Sequence, residues 1–410
     1  MLEARDRLGG RIYTRHSPVA GAPVELGAEF VHGQHPELWR MATGAGALLY
    51  EIGGEQRYTR NGRLEANLDT SDKVEQIFSR MMRHAPEDRT FAAFLSEEFP
   101  GAEWAEAKAA AIAYVEGFNA ADHTRVSLQW LKSTEQASGP VAGERQFRPA
   151  AGYSRLVGWM ADECVDDGAA IFGSTVVREI RWQPGRVSVY AENAGSAARF
   201  ESEAAIITVP LAVLQASSIH FEPPIEEKIQ AARQLSAGVG VRITLVCREA
   251  FWENYLPAWE EKLTSLSFLH ALGEPFPTWW TSYPLQTRMI TGWAGGAQAF
   301  MAPLPSADQI SSALDSLAHA TGLSRSAVED LVEEVHHHDW QKDPFALGAY
   351  SYVPVGAHDA AAHLAAPCSG TLFFAGEATD TTGHTGTVHG AIASGIRAAD
   401  QILKSMSPSS

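Results

Sequence analysis

The stretch from Leu372 to Ala398, LFFAGEATDTTGHTGTVHGAIASGIRA, restricts the fold more than any other part of the chain. Leu372, Phe373 and Phe374 form a short apolar run of the kind that fills a buried parallel strand. Gly376 permits a sharp turn after it, and apolar residues from Val388 to Ile402 recur at helical spacing. The order is therefore strand, turn, small-residue loop, helix, which predicts an α/β unit. Amides at a helix N-terminus lack intrahelical partners and carry positive partial charge. Gly383, Gly386 and Gly390 thin the side chains around that end, so a ligand can lie across the helix start.

The other end of the chain carries a matching signal. Leu2 to Ile12, LEARDRLGGRI, reads as the end of a strand followed by arginines and paired glycines. Together the two segments closely resemble the terminal motifs of the flavin-dependent amine oxidases, the family of monoamine oxidases, polyamine oxidases and lysine-specific histone demethylases.

The resemblance implies FAD as cofactor. It also implies an α/β fold: an FAD-binding Rossmann-like domain joined to a discontinuous α+β substrate domain. Family members begin earlier, with a strand, a G-x-G-x-x-G turn and a helix. The nearest substitutes, GAGALL at Gly44 and GVGVR at Gly238, lack the third glycine, so the chain is expected to be a member shortened at its N-terminus. The FAD-binding domain is expected over 1–45, 146–220 and 356–410, and the substrate-binding domain over 46–145 and 221–355. By resemblance, Glu3, Arg5, Gly10, Arg11, Gly376, Glu377, Thr387 and Val388 contact the cofactor. Gly27 and Ala28 in ELGAEFVHG are small where backbone passes the flavin ring, and Val177 lies on the adenine side, through its backbone more than its side chain.

The substrate side follows from three further segments. Trp340, Asp343, Gly348 and Tyr350 match the family's W-x-x-D-P-x-x-x-G-[SA]-Y pattern. Tyr350 is thereby one wall of an aromatic cage, where a ring face packs on an amine. The second cage tyrosine of monoamine oxidases is replaced by Thr387, as in the demethylases. Phe345 supplies an apolar wall and His32 lines the amine channel. Trp279 and Trp280 either line the cavity or pack in the core. Leu235 to Trp252 resembles the family strand bearing a lysine linked to reoxidation by oxygen, and this sequence has Arg242 there. Arginine is bulkier, stays protonated and presents a planar fork. The expected catalytic positions are Arg242, Tyr350 and Thr387.

Composition narrows the classes. A net charge of -17 opposes nucleic-acid binding, which needs a basic surface, and favours cationic ligands such as amines. The three cysteines are widely spaced without a C-x-x-C pair, so neither a disulfide framework nor a zinc site is indicated. His336, His337 and His338 are consecutive, point to alternate faces if on a strand, and are not expected to bind metal. No apolar run reaches the ~20 residues of a membrane span. The expected setting is the cytoplasm, with a small-molecule amine and oxygen or another electron acceptor as partners. Residues 73–116 read as helices broken at Pro86 and Pro100, and Pro184-Gly185 reads as a hairpin turn.

The implied chemistry is hydride transfer from an unprotonated amine to flavin N5, followed by hydrolysis of the imine. Three readings stay open. The first is oxidation of a polyamine-like or other non-carboxylated amine. The second is an L-amino-acid oxidase of the same superfamily, which needs an arginine for the substrate carboxylate, with Arg145 and Arg242 as candidates. The third is a catalytically impaired binding subunit.

Overall fold

The computed structural model describes residues 1–65, 70–83, 87–300 and 306–406, and not the side chains of residues 298, 300 and 306. The C-terminal unit has the expected order. Leu372–Phe374 is a fully buried strand paired in parallel with Ala205–Ile207, and the helix Val388–Met406 returns along it. The turn between them is closed from both sides. The Gly376 amide donates to Ser394 Oγ of the helix at 2.8 Å, while Arg397 donates to Phe374 O at 2.6 Å and to Thr379 O at 2.7 Å. Gly376 itself sits at φ 118°, a conformation that L side chains resist.

Next to this unit lies a four-stranded sheet in the order Ser196–Ser202, Arg186–Asn193, Thr175–Gln183 and His220–Glu222. Its hairpin turns at Pro184-Gly185 as the sequence predicts, with Gln183 opposite Arg186 and Gly185 at φ 73°. The opening strand end docks on it: Leu2 bridges Phe172 in parallel, and the Thr175 amide donates to Glu3 O at 2.8 Å.

The second large layer is a seven-stranded sheet. Its order is Val332–His337, Gly240–Cys247, Met289–Gly295, Thr278–Thr281, Leu266–His270, Glu55–Arg60 and Arg63–Glu65. Every residue of Gly240–Cys247 is buried, because the strand is covered on both faces. Ile243, Leu245 and Trp279 are fully shielded in this core, each side chain contributing about 1.5–3 kcal/mol of apolar burial. Helices Ser71–Arg83, Phe91–Glu98 and Ala105–Asn119 occupy the expected helical region. Pro100 lies in one of the breaks; Pro86 is outside the described residues.

The two glycine pairs weighed as dinucleotide turns serve a helix end and packing instead. Gly46, at φ 58°, ends the turn after helix Pro36–Gly44. A Cβ on Gly238 would lie 2.7 Å from Ala120 O, and one on Gly240 would lie 2.4 Å from Trp293.

Candidate active site

A cavity of about 2010 Å³ is lined by residues of both sheets. It is lined by Glu3, Arg5, Gly10, Arg11, Gly27, Ala28, His32, Val177, Arg242, Phe345, Tyr350, Gly376, Glu377, Thr387 and Val388. The residues singled out from six separate stretches of the sequence thus share one surface.

Three clamps hold the walls. Arg11 pairs with Glu377 at 2.9 Å and donates to Ala349 O, joining the paired-glycine segment to the strand-turn-helix unit. Glu377 also accepts from Ser351 Oγ at 2.6 Å and from the Gly386 amide at 2.9 Å, so its buried carboxylate ties four segments together. Asp343 pairs with Arg5 at 2.6 Å and with His338 Nε2 at 2.8 Å, while Trp340 Nε1 donates to Leu26 O at 2.8 Å. The W-x-x-D spacing therefore fastens the 340s loop onto the N-terminal segment. Phe345 lies beneath the Arg5 guanidinium, 5.5 Å from its ring centre, on the Glu3 side of the cavity. Val177 both lines the cavity and packs on the core.

Close backbone approach is built in at Gly27. A Cβ there would stand 1.9 Å from Arg11 O, so no other residue fits between the two segments. At the helix start, the Thr387 hydroxyl donates to His384 O at 2.6 Å and accepts from the Gly390 amide at 2.9 Å. It caps the helix, while the first amides beyond it lack intrahelical acceptors.

Arg242 has its fork occupied. It donates to Gly27 O at 3.0 Å, forms a short ion pair with Glu29, and its guanidinium lies 5.4 Å from the Trp280 ring centre. Glu29 also contacts Arg148 at 2.6 Å and accepts from Trp280 Nε1 at 3.1 Å. Burial alone would raise the Glu29 carboxyl; the two guanidiniums outweigh it and hold it below its usual range. Arg145, the other arginine weighed for a substrate carboxylate, pairs with Glu51 at 2.6 Å. Trp279 and Trp280 divide the roles left open: Trp279 is fully buried, whereas Trp280 lines the cavity.

Aromatic rings line much of the rest of the cavity. Tyr350 donates its hydroxyl to Phe118 O at 2.7 Å, which fixes the ring plane. From His32 a row continues through Phe118 (centroids 5.2 Å), Tyr114 (5.7 Å) and Phe78 (5.2 Å). A second row runs through Phe30, Trp280, Phe268, His270 and Tyr58 at 4.9–6.2 Å spacings. Burial pushes His32 and His270 down to about 4, so both rings are neutral at physiological pH. His336, His337 and His338 each contact a different protein partner: Glu334, Arg242 O and Asp343.

Sequence reading missed Glu29, Arg148 and, apart from His32 and Trp280, both aromatic rows. Glu29 stands inside ELGAEFVHG, but nothing in that motif reveals that it meets Arg148 and Arg242, more than a hundred residues away.

Known proteins agree with this geometry. The profile of the family described as flavin containing amine oxidoreductase matches residues 1–403. Polyamine oxidase 3 of Oryza sativa subsp. japonica is 31% identical over 441 residues, covering 98% of this chain and 83% of that protein. Lysine-specific histone demethylase 1 homolog 2 of the same organism is 28% identical and spans 98% of this chain and 53% of its own length. Among solved structures, wild-type putrescine oxidase bound to putrescine superposes with a TM-score of 0.78 at 20% identity, covering 98% of this chain and 93% of its own. Cyclohexylamine oxidase from Brevibacterium oxydans IH-35A gives 0.79 at 19% identity, with 98% and 92% covered. These last two show the shared fold. The chain belongs to the flavin-containing amine oxidoreductases and is an FAD-dependent enzyme acting on amines.

Proposed function

We propose that this enzyme oxidises a non-carboxylated amine with an extended body, as polyamines and long or aryl-bearing monoamines have. The observation that carries this reading is the state of the arginines. An amino-acid substrate needs a free guanidinium for its carboxylate. Arg242 is held by Glu29 and Gly27 O, and Arg145 by Glu51. The two aromatic rows instead offer apolar walls and ring faces, which suit methylene chains and amines. Carboxylates of Glu75 and Glu135 line the same cavity and can receive a second ammonium. The polyamine and putrescine oxidases named above support the same class.

The residues present fit FAD. The cavity is continuous from Glu3 to Tyr350, Gly27 brings backbone to backbone, and a capped helix start with free first amides faces it. In our reading Glu3, Arg5, Gly10, Arg11, Val177, Gly376, Glu377 and Val388 hold the cofactor, with Gly27 and Ala28 along its ring. We place Phe345 with this set, because it packs on Arg5. Bound there, the flavin supplies the two-electron acceptor for amine oxidation. Tyr350 orients the amine through its fixed ring, neutral His32 leaves the channel without a positive charge to repel it, and Thr387 holds the helix start in place. Arg242 keeps a permanent charge at the inner end of the cavity. Oxygen or another small acceptor completes the cycle, and the three unpaired cysteines support a cytoplasmic setting.

The test is anaerobic bleaching of the FAD-loaded enzyme with spermine, benzylamine and an L-amino acid in parallel. We expect spermine or benzylamine to bleach the flavin and the amino acid to leave it oxidised. Faster bleaching by the amino acid would sink the proposal.

A further inference from the structure

Three histidines meet on the cavity wall and have no part in the chemistry above. His35 is the residue before helix Pro36–Gly44, His384 lies in the loop between Gly383 and Gly386, and His389 is in the first turn of helix Val388–Met406. One ring nitrogen from each lies within 4.8 Å of the others. His35 and His389 stack at 3.5 Å between centroids and 14° between planes, with His384 edge-on to them at 4.5 and 4.8 Å.

Among the described residues none of the three rings hydrogen-bonds to the protein. His389 is buried, His35 and His384 are half-buried, and all three line the cavity, so a ligand in the cavity can reach the cluster. A neutral imidazole is the commonest protein ligand for metal ions.

We propose that His35, His384 and His389 form a three-histidine site for a divalent transition-metal ion of the zinc class, with its fourth position open to the cavity. Three imidazoles plus one open position is a recognised zinc arrangement, and nitrogen ligands select zinc, copper or nickel over magnesium and calcium. Tetrahedral bonds of ~2.0–2.1 Å bring ligand nitrogens to roughly 3.4 Å apart. The nitrogens close in by about an ångström or so on that basis, and the stacked pair must part, since parallel rings cannot aim in-plane lone pairs at one point. His35 and His384 stand outside regular elements, where such rotation meets least resistance. The bound ion would pin the loop at His384 to the start of helix Pro36–Gly44.

The site does not rest on the proposed substrate class, and its test reads metal directly. Chelator-treated, FAD-loaded protein without a polyhistidine tag is dialysed against Zn²⁺ or Co²⁺ and its metal content measured by plasma mass spectrometry. One equivalent is expected. His384→Ala and His35→Ala should each weaken binding at least tenfold, and His384→Cys, which keeps a ligand, should restore it. His220→Ala, at an exposed histidine, should bind as the parent does. Co²⁺ should give the visible ligand-field bands of a four-coordinate site in the parent protein, a signature that needs no variant. Absence of a retained equivalent in the parent, or an unchanged affinity in the His35→Ala/His384→Ala double variant, would overturn the proposal.

Discussion

Arg242 shows how a single residue alters a site without leaving it. A lysine at this position would be a mobile point charge, whereas the guanidinium here is held by Glu29, Gly27 O and the face of Trp280. Arg242→Lys is expected to speed reoxidation of reduced flavin by oxygen; stopped-flow mixing measures it, and an unchanged rate would remove the role assigned to this position. Glu29 is the partner on which the cluster depends. Glu29→Gln leaves two buried guanidiniums without a counter-charge, which we expect to destabilise the protein by about 3–5 kcal/mol in urea titrations. Adding Arg242→Met should recover part of that loss; equal stability of Glu29→Gln and parent would contradict the buried-pair account. Glu25 adds a pH dependence. Its carboxyl accepts from the Tyr153 amide at 2.7 Å and Thr14 Oγ1 at 2.8 Å, yet burial pushes it up to about 7. A carboxyl raised in the fold binds its proton more tightly there than in the unfolded chain. Its contribution is complete below about 4.5 and is lost as pH rises through about 7. Glu25→Gln should flatten stability between those values.

At the scale of elements, the site is a meeting of short segments, and glycine sets how closely they meet. Gly27 and Arg11 approach so nearly that a methyl group would fall 1.9 Å from a backbone oxygen, which cannot rotate away. Gly27→Ala should therefore separate the two segments, lower flavin content per chain and cost at least the ~1–3 kcal/mol typical of overpacking. Absorbance ratios and thermal unfolding measure both; parent-like values in each would show that the contact is softer than it looks. The strand-turn-helix unit was legible in the sequence because every signal in it is local: an apolar triplet, a turn glycine, a helical period. Its second role, clamping Arg11, Ser351 and Gly386 through Glu377, was not, because those partners come from elsewhere in the chain.

Across the whole molecule, histidines on the cavity wall weaken the fold in acid. His32, His35 and His270 are pushed down to about 4 and His389 to about 2, chiefly by burial. The unfolded chain takes up protons at these residues below about 6.5 while the fold excludes them. Stability present above that pH is then lost as pH falls toward 4, against the opposite and smaller effect of Glu25. Unfolding midpoints measured from pH 8 to 4 should drop steeply below 6.5, and a His32→Gln/His270→Gln variant should drop less. A flat profile would count against the burial of these rings.

Periodicity, turn residues and two terminal motifs made legible, from the sequence alone, the α/β class, the family and the C-terminal strand-turn-helix order, since each depends on residues near one another in the chain. The tertiary structure decided the pairing of Glu29 with two arginines, the two aromatic rows, the division of Trp279 from Trp280 and the histidine trio. Those are contacts between segments far apart in sequence. Their partners are chosen by how the layers pack and not by any local pattern.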